Sequence, residues 1–339
     1  MPMTCLGYFF NYASCVEEGR YCQSPHTTLR ELHAHADLLQ PLNRWYKETF
    51  GRSVFEEVAK PRLLDPLDLP SVRTARVTQL VLFLCAAMVL RQRSAPTHTA
   101  GYSLGYGAAF ALSGVLPFPA FVHDVFSANY PYANDNHTAL QEDRLRSCIL
   151  YDPTEPAFGV TVANAIRRHF PEVVVKDDRP PYCMQVVAAE TVLDALRAWV
   201  FRSFPASASH STRMIRSDAA HLYPDRYQAV KAAFRQAAYG VPGLDIVTHQ
   251  HGVLGQGRFL EDGGGVLFDA IQAPLSMRRV VDVLVAYRGP LIMFGSARTA
   301  DFVFFGLGNK ALNRPVIDWE QALLLRDAPI VTASQADRR

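Results

Sequence analysis

Gly101-Tyr102-Ser103-Leu104-Gly105 is the stretch whose residue types and spacing best suit chemistry, a G-x-S-x-G pentapeptide. A serine hydroxyl becomes a useful nucleophile when it stands clear of the backbone on a tight strand-to-helix turn with a base beside it. Flanking glycines let the chain take that turn and let other backbone approach closely. The N–H of Leu104, at a helix N-terminus, would then face the oxyanion formed as the hydroxyl attacks an acyl carbonyl. A structural turn of small residues satisfies the same five positions, so the surrounding sequence has to decide. A short segment precedes Ser103 and a run of small residues, 106–114, follows it, giving the order strand, tight turn, helix.

The serine needs a base, and eleven histidines are available. His210 stands out because it follows a candidate α/β subdomain directly, in a loop of small residues (Pro205-Ala206-Ser207-Ala208-Ser209-His210-Ser211). A capping or surface histidine is the alternative reading. His249 and His251 are rivals that read better as a solvated loop, because no acidic or cysteine partner with metal-ligand spacing accompanies them. His33 and His35 are two apart on a helical segment and point away from each other. No metal is expected.

Elements that would position these residues follow from hydropathy. Residues 5–10 (CLGYFF) read as a buried first strand, residues 28–60 as helical, and 71–93 as a strong helix that stops before Pro96. Strands at 147–152, 171–175 and 184–189 alternate with helices at 160–170 and 190–201. That is a β-α-β-β-α unit of about 60 residues, the size and order of a ferredoxin-like subdomain. A helix at 218–238 and the segments 244–248, 290–294 and 302–306 return to a larger α/β core, with no internal repeat.

Composition narrows the class. The chain has 339 residues, 49% hydrophobic and 19% charged, with formal net charge +2, which is globular and not the profile of a dedicated nucleic-acid binder. The six cysteines form no C-x-x-C pair and read as reduced thiols of a cytoplasmic protein. The first ten residues do not have the pattern of a signal peptide. The apolar run 80–90 is shorter than the roughly 20 residues that span a bilayer, so a buried core helix is expected and no membrane partner.

Four stretches together resemble the malonyl-CoA:acyl-carrier-protein transacylases and the acyltransferase domains of polyketide synthases, over about residues 28–310. They are the helix 71–93 with Gln79 early in it; residues 101–115 (GYSLGYGAAFALSGV); residues 181–189 (PYCMQVVAA) leading to 207–214 (SASHSTRM); and residues 269–280 (DAIQAPLSMRRV). The resemblance implies an α/β-hydrolase-like core, residues 1–139 and 206–339, with a ferredoxin-like subdomain inserted at 140–205 and the active site in the cleft between them. It implies Ser103 as nucleophile, His210 as base, the Leu104 N–H as an oxyanion donor, and the main-chain carbonyl of Gln272 as the group orienting His210. Tyr102, where the family usually has histidine, Ala128 and Asn129 would line the acyl pocket. No bound cofactor is implied. The partners would be an acyl-CoA or acyl-carrier-protein donor and an acyl carrier protein, whose acidic surface could dock on Arg213, Arg216, Arg278 and Arg279.

Two departures shape the expectation. The family's first strand leads into a glycine-glutamine-glycine loop that gives a second oxyanion N–H; this chain reads Phe10-Asn11-Tyr12-Ala13-Ser14 there. Malonyl-loading members carry an arginine at the place that falls on Ala128 or Asn129, and no arginine lies between Ser103 and Arg144. A buried carboxylate without a cation is costly, so an acyl group without a free carboxylate, not malonyl, is expected. An acyl-thioester hydrolase, a non-catalytic carrier-binding scaffold and a general esterase are the alternatives; the last would want an upstream HGG-type oxyanion loop, and none precedes Ser103.

Overall fold

A computed structural model of the chain describes residues 6–11, 26–59, 69–127, 145–152, 154–178, 183–212, 224–272, 277–295 and 312–325. Its strands are β1 (Gly7–Asn11), β2 (His98–Tyr102), β3 (Leu145–Tyr151), β4 (Val174–Asp178), β5 (Cys183–Ala189), β6 (Ala208–Thr212), β7 (Asp245–Thr248), β8 (Gly252–Leu254), β9 (Leu291–Phe294) and β10 (Val316–Asp318). Two sheets result: a six-stranded one ordered β10-β9-β1-β2-β7-β8 and a four-stranded one ordered β4-β5-β3-β6.

In the large sheet all neighbours run parallel except the edge strand β8. Parallel sheets are covered on both faces, so central strands read as continuous apolar runs. β1 is buried at all five positions, as the run 5–10 suggests. The register aligns Phe10 with Gly101 on one side and Phe294 on the other, so β1, β2 and β9 end side by side. The core segment expected at 302–306 lies outside the described residues.

The helical stretch 28–60 divides into three helices, α1 (His26–His33), α2 (Ala36–Phe50) and α3 (Val54–Ala59). Gly51 makes the second break: its left-handed φ of 79° lets its N–H return to the Lys47 carbonyl, a C-terminal stop that only glycine adopts cheaply. The helix expected at 71–93 is α4 (Leu69–Arg93), long and apolar enough to cross a membrane yet mostly buried in the protein. Tyr46 and Thr78 join α2 to α4 hydroxyl to hydroxyl at 2.6 Å. Phe83 of α4 packs on Phe294 at the end of β9.

The length of α4 matters for the site. Its C-terminal end lies at the starts of the strands, where Tyr8 donates to the Ser94 carbonyl. At 1.5 Å per residue its 25 residues run about 37 Å, against about 17 Å for a five-residue strand. Its first turns, with Arg73 and Arg76, therefore overhang the carboxyl-terminal edge of the sheet. The turn after β2 continues into α5 (Gly105–Leu112), and a short α6 (Phe118–Ala120) runs into a π-helical turn, Phe121–Phe126.

The small sheet carries α7 (Phe158–His169) and α8 (Glu190–Ser203) on one face. Cys148, Leu150, Met184 and Val186 alternate inward to meet Phe158, Val162, Leu193 and Leu196 there, as the two-residue period of strands requires. Ile149 and Gln185 occupy the intervening positions. With β6 pairing antiparallel to β3, the order completes a β-α-β-β-α-β ferredoxin-like unit. Two expectations differ here. Residue 210 stands in strand β6 and not in a loop, and the small sheet continues to Thr212, past the expected boundary at 205. Small and polar residues such as Ala208, Ser209 and Ser211 read as a loop, but an edge strand one layer deep tolerates them. Helix α9 (Pro224–Gln236) falls within the span expected at 218–238, and α10 (Gly263–Gln272), α11 (Met277–Leu284) and α12 (Trp319–Leu324) complete the described helices.

At the amino-terminal edge of the large sheet lies a buried polar cluster that sequence reasoning did not find. Arg314 donates to Nε2 of the buried His98 at 3.0 Å. Arginine has no acceptor, so Nε2 carries the lone pair and Nδ1–H faces Thr97 Oγ1, also at 3.0 Å. Tyr287 stacks on the imidazole at 3.8 Å and donates to Asp245. A Cβ at Gly7 would overlap the imidazole, which explains the glycine inside β1. Burial, helped by the Arg314 charge, lowers the His98 pKa from 6.5 to about 3. The folded state thus binds fewer protons than the unfolded one between those values. The stability contributed is complete above about pH 6.5 and is lost as pH falls toward 3. We expect His98→Gln to flatten the loss of urea-unfolding stability between pH 7 and pH 5 relative to wild type; parallel pH profiles for the two proteins would overturn the assignment.

Candidate active site

Ser103 directly follows β2, at the carboxyl-terminal edge where open α/β sheets bind ligands. Its φ is +52°, a left-handed conformation that serine adopts only when its surroundings impose it. They impose it through contact. A Cβ at Gly105 would overlap the carbonyl of Phe10 in β1, and a Cβ at Gly101 would come within 2.5 Å of the Tyr106 nitrogen. The first turn of α5 therefore lies directly on β1 and β2, and both glycines of the pentapeptide are steric requirements. Gly107 repeats the device one turn on, admitting the ring of Phe121 from the π-helical turn.

Ser103 is left half-buried above this packing, and the Tyr106 N–H bonds back to its carbonyl at 3.0 Å. Leu104 is the N-cap of α5, so its N–H lies at the positive end of the helix dipole, next to the Ser103 hydroxyl. Asn11, fully buried, ends β1 opposite Tyr102. Tyr12, Ala13 and Ser14 lie outside the described residues.

The partners expected for Ser103 fall on other elements. His210 is in β6, paired with Ile149, which is paired in turn with Gln185 of β5; the three form one cross-strand row. Tyr102 reaches that row from the large sheet, its hydroxyl 3.5 Å from Gln185 Oε1, and Gln185 Nε2 donates to Ser147 Oγ at 2.8 Å. Gln272 is the last residue of α10. A carbonyl in the last turn of a helix has no partner four residues on, so it is available to a side chain from elsewhere. His251 sits in the turn after β7, with Nε2 3.5 Å from Asp269 of α10. Among the described residues no group of three or more His, Cys, Asp or Glu is arranged to hold a metal.

Ala128 and Asn129 lie outside the described residues, as do Arg213 and Arg216. Arg278 and Arg279 are exposed on α11. Just before Ala128, Ser127 accepts a hydrogen bond from the guanidinium of Arg73, which reaches it from the overhanging start of α4. Sequence distance conceals this cation, because 54 residues separate the two.

Comparison of the sequence with protein-family models and with curated proteins finds no match. Solved structures do match. A malonyl CoA-acyl carrier protein transacylase from Coxiella burnetii superposes with a TM-score of 0.69 at 12% identity, covering 98% of this chain and 97% of its own. The malonyl-transacylase solved in complex with its type II polyketide synthase acyl-carrier protein gives 0.66 at 13%, covering 98% and 100%. The acyltransferase domain from the second module of the salinomycin polyketide synthase gives 0.66 at 15%, covering 99% and 74%. The chain has the transacylase fold. In the transacylase fold of this chain, Ser103 occupies the strand-to-helix turn, and the small sheet is the ferredoxin-like insertion that the resemblance implies.

Strain at the serine is itself testable. Left-handed φ costs a non-glycine residue about 1 kcal/mol, so Ser103→Gly should raise the melting temperature by about 2 °C while removing the hydroxyl. Gly105→Ala should melt well below wild type, because its methyl group has only backbone to displace. A destabilised Ser103→Gly in calorimetry would show that the turn is not held under strain.

Proposed function

We propose that this protein is an acyltransferase. It takes an acyl group from a coenzyme A or carrier-protein thioester onto Ser103 and passes it to the phosphopantetheine thiol of an acyl carrier protein, in polyketide or related biosynthesis. The observation that carries this reading is the left-handed Ser103 between β2 and the N-terminus of α5, within a fold shared with transacylases.

The proposed chemistry is ping-pong. His210 takes the Ser103 proton as Oγ bonds to the thioester carbonyl carbon; the Leu104 N–H donates to the oxyanion. Collapse breaks the C–S bond, and the leaving thiolate takes the proton from His210. The incoming phosphopantetheine thiol then gives its proton to His210, attacks the acyl-enzyme, and Ser103 leaves and is reprotonated. The Gln272 carbonyl would accept the other imidazole N–H and fix its tautomer. Arg278 and Arg279, exposed on α11, together with Arg213 and Arg216, form the proposed rim for an acidic carrier protein. The free, buried Cys85, Cys148 and Cys183 support a reducing, cytoplasmic setting.

The acyl group is proposed to be other than malonyl, since Ala128 and Asn129 offer no cation, and Arg73 is engaged with Ser127. Intact-protein mass after incubation with a panel of acyl-CoAs and acyl carrier proteins tests both parts. We expect an adduct on wild type but not on Ser103→Ala, transfer to fresh carrier protein, and loading of neutral acyl groups at least tenfold faster than malonyl. An adduct lost to water as free acid would favour the hydrolase, and no adduct with carrier still bound would favour the scaffold. Faster malonyl loading, abolished by Arg73→Ala, would overturn the choice of acyl group and assign its carboxylate to Arg73.

A further inference from the structure

Tyr102 has a second assignment, which rests on the reading of Ser103 and His210 above. We infer that Tyr102 is a positioning residue, a latch that holds the sheet carrying the nucleophile at a fixed distance from the sheet carrying His210. Tyr102 is 6% exposed and belongs to the apolar cluster with Phe9, Ala100, Val247, Met277 and Val280 of the large domain. Its hydroxyl projects from that apolar setting to Gln185 in the small sheet. Such a residue is anchored at one end and polar at the other, and it joins the large domain to the small sheet.

The register gives the latch its consequence. Ser103 is the next residue after Tyr102. Gln185 faces Ile149, and Ile149 faces His210, so the latch grips the row that contains the base, about 10 Å away at two strand spacings. Gln185 is itself held by Ser147 on the neighbouring strand. A change in the gap at Tyr102 is therefore a change in the gap between Ser103 and residue 210. A general base must come within about 3 Å of the proton it takes, and an error of about 1 Å costs on the order of a hundredfold in rate. At 3.5 Å the Tyr102–Gln185 contact is longer than an ordinary O–H···O hydrogen bond. It has room to shorten when substrate is bound, as catalytic hydrogen bonds commonly do.

Tyr102→Phe removes the hydroxyl and keeps the ring; Gln185→Leu removes the acceptor at similar size. The test follows labelling of Ser103 by a fluorophosphonate, which reacts with activated serines without an acyl substrate. The maximal labelling rate should fall about tenfold in each variant, the worth of one net hydrogen bond, with the half-saturating probe concentration unchanged. The double variant should be no slower than the slower single one, because both break the same link. Melting temperatures within a few degrees of wild type would exclude general unfolding as the cause; a collapse of the Tyr102→Phe melt with loss of labelling would mean that the hydroxyl supports the fold as a whole and would overturn the latch. Unchanged labelling, or losses that multiply in the double variant, would also overturn it. Wild type that is not labelled at Ser103 would instead sink the underlying reading of the nucleophile, and the latch with it.

Discussion

Three backbone segments meet at Ser103 with no space for a side chain between them, and the remaining architecture follows from that contact. The Phe10 carbonyl of β1 occupies the volume of a Gly105 Cβ, and the Tyr106 nitrogen occupies that of Gly101. β1 and β2 must therefore be neighbours, and α5 must start directly above them. The price is a serine held at φ +52°. What results is a hydroxyl raised off the sheet at a helix N-terminus, where a developing negative charge is stabilised.

The two edges of the large sheet do different work. At the carboxyl-terminal edge, the strained turn at Ser103 is tolerated. At the amino-terminal edge, His98, Thr97, Arg314, Tyr287 and Asp245 form a hydrogen-bonded cluster that joins β2, β7 and the segment before β10. A neutral imidazole suits that place because the Arg314 guanidinium meets it at Nε2. A serine under strain needs a sheet whose strands cannot slide, and this cluster ties the register at the opposite end.

Ser103 and His210, the proposed nucleophile and base, belong to different sheets, so the proposed chemistry depends on how the sheets are held together. The small sheet buries one face under α7 and α8 and turns the other, with Ile149 and Gln185, toward the large domain. Tyr102 spans the interval. The helix α4, longer than the strands it covers, brings Arg73 to Ser127 over the same edge. In the proposed chemistry, the inserted small sheet completes a site that the core begins.

Read alone, the sequence determined the elements whose residues carry a strong local signal. The apolar run at β1, the apolar run 80–90 of α4, the G-x-S-x-G turn and the β-α-β-β-α alternation are each encoded within a few dozen residues, and local sterics and burial suffice to read them. The sequence offered His210 as a candidate base but did not show that it stands in a strand, because β6 is made of small polar residues whose extended form comes from pairing with β3. The break of 28–60 into three helices was marked only by Gly51. Tertiary structure alone decided that Arg73 meets Ser127, that Gln185 meets Tyr102, and that Arg314 meets His98. These pairs are 54, 83 and 216 residues apart, and a polar contact between distant residues leaves no periodicity in the sequence, because its energy exists only once the fold has brought the groups together.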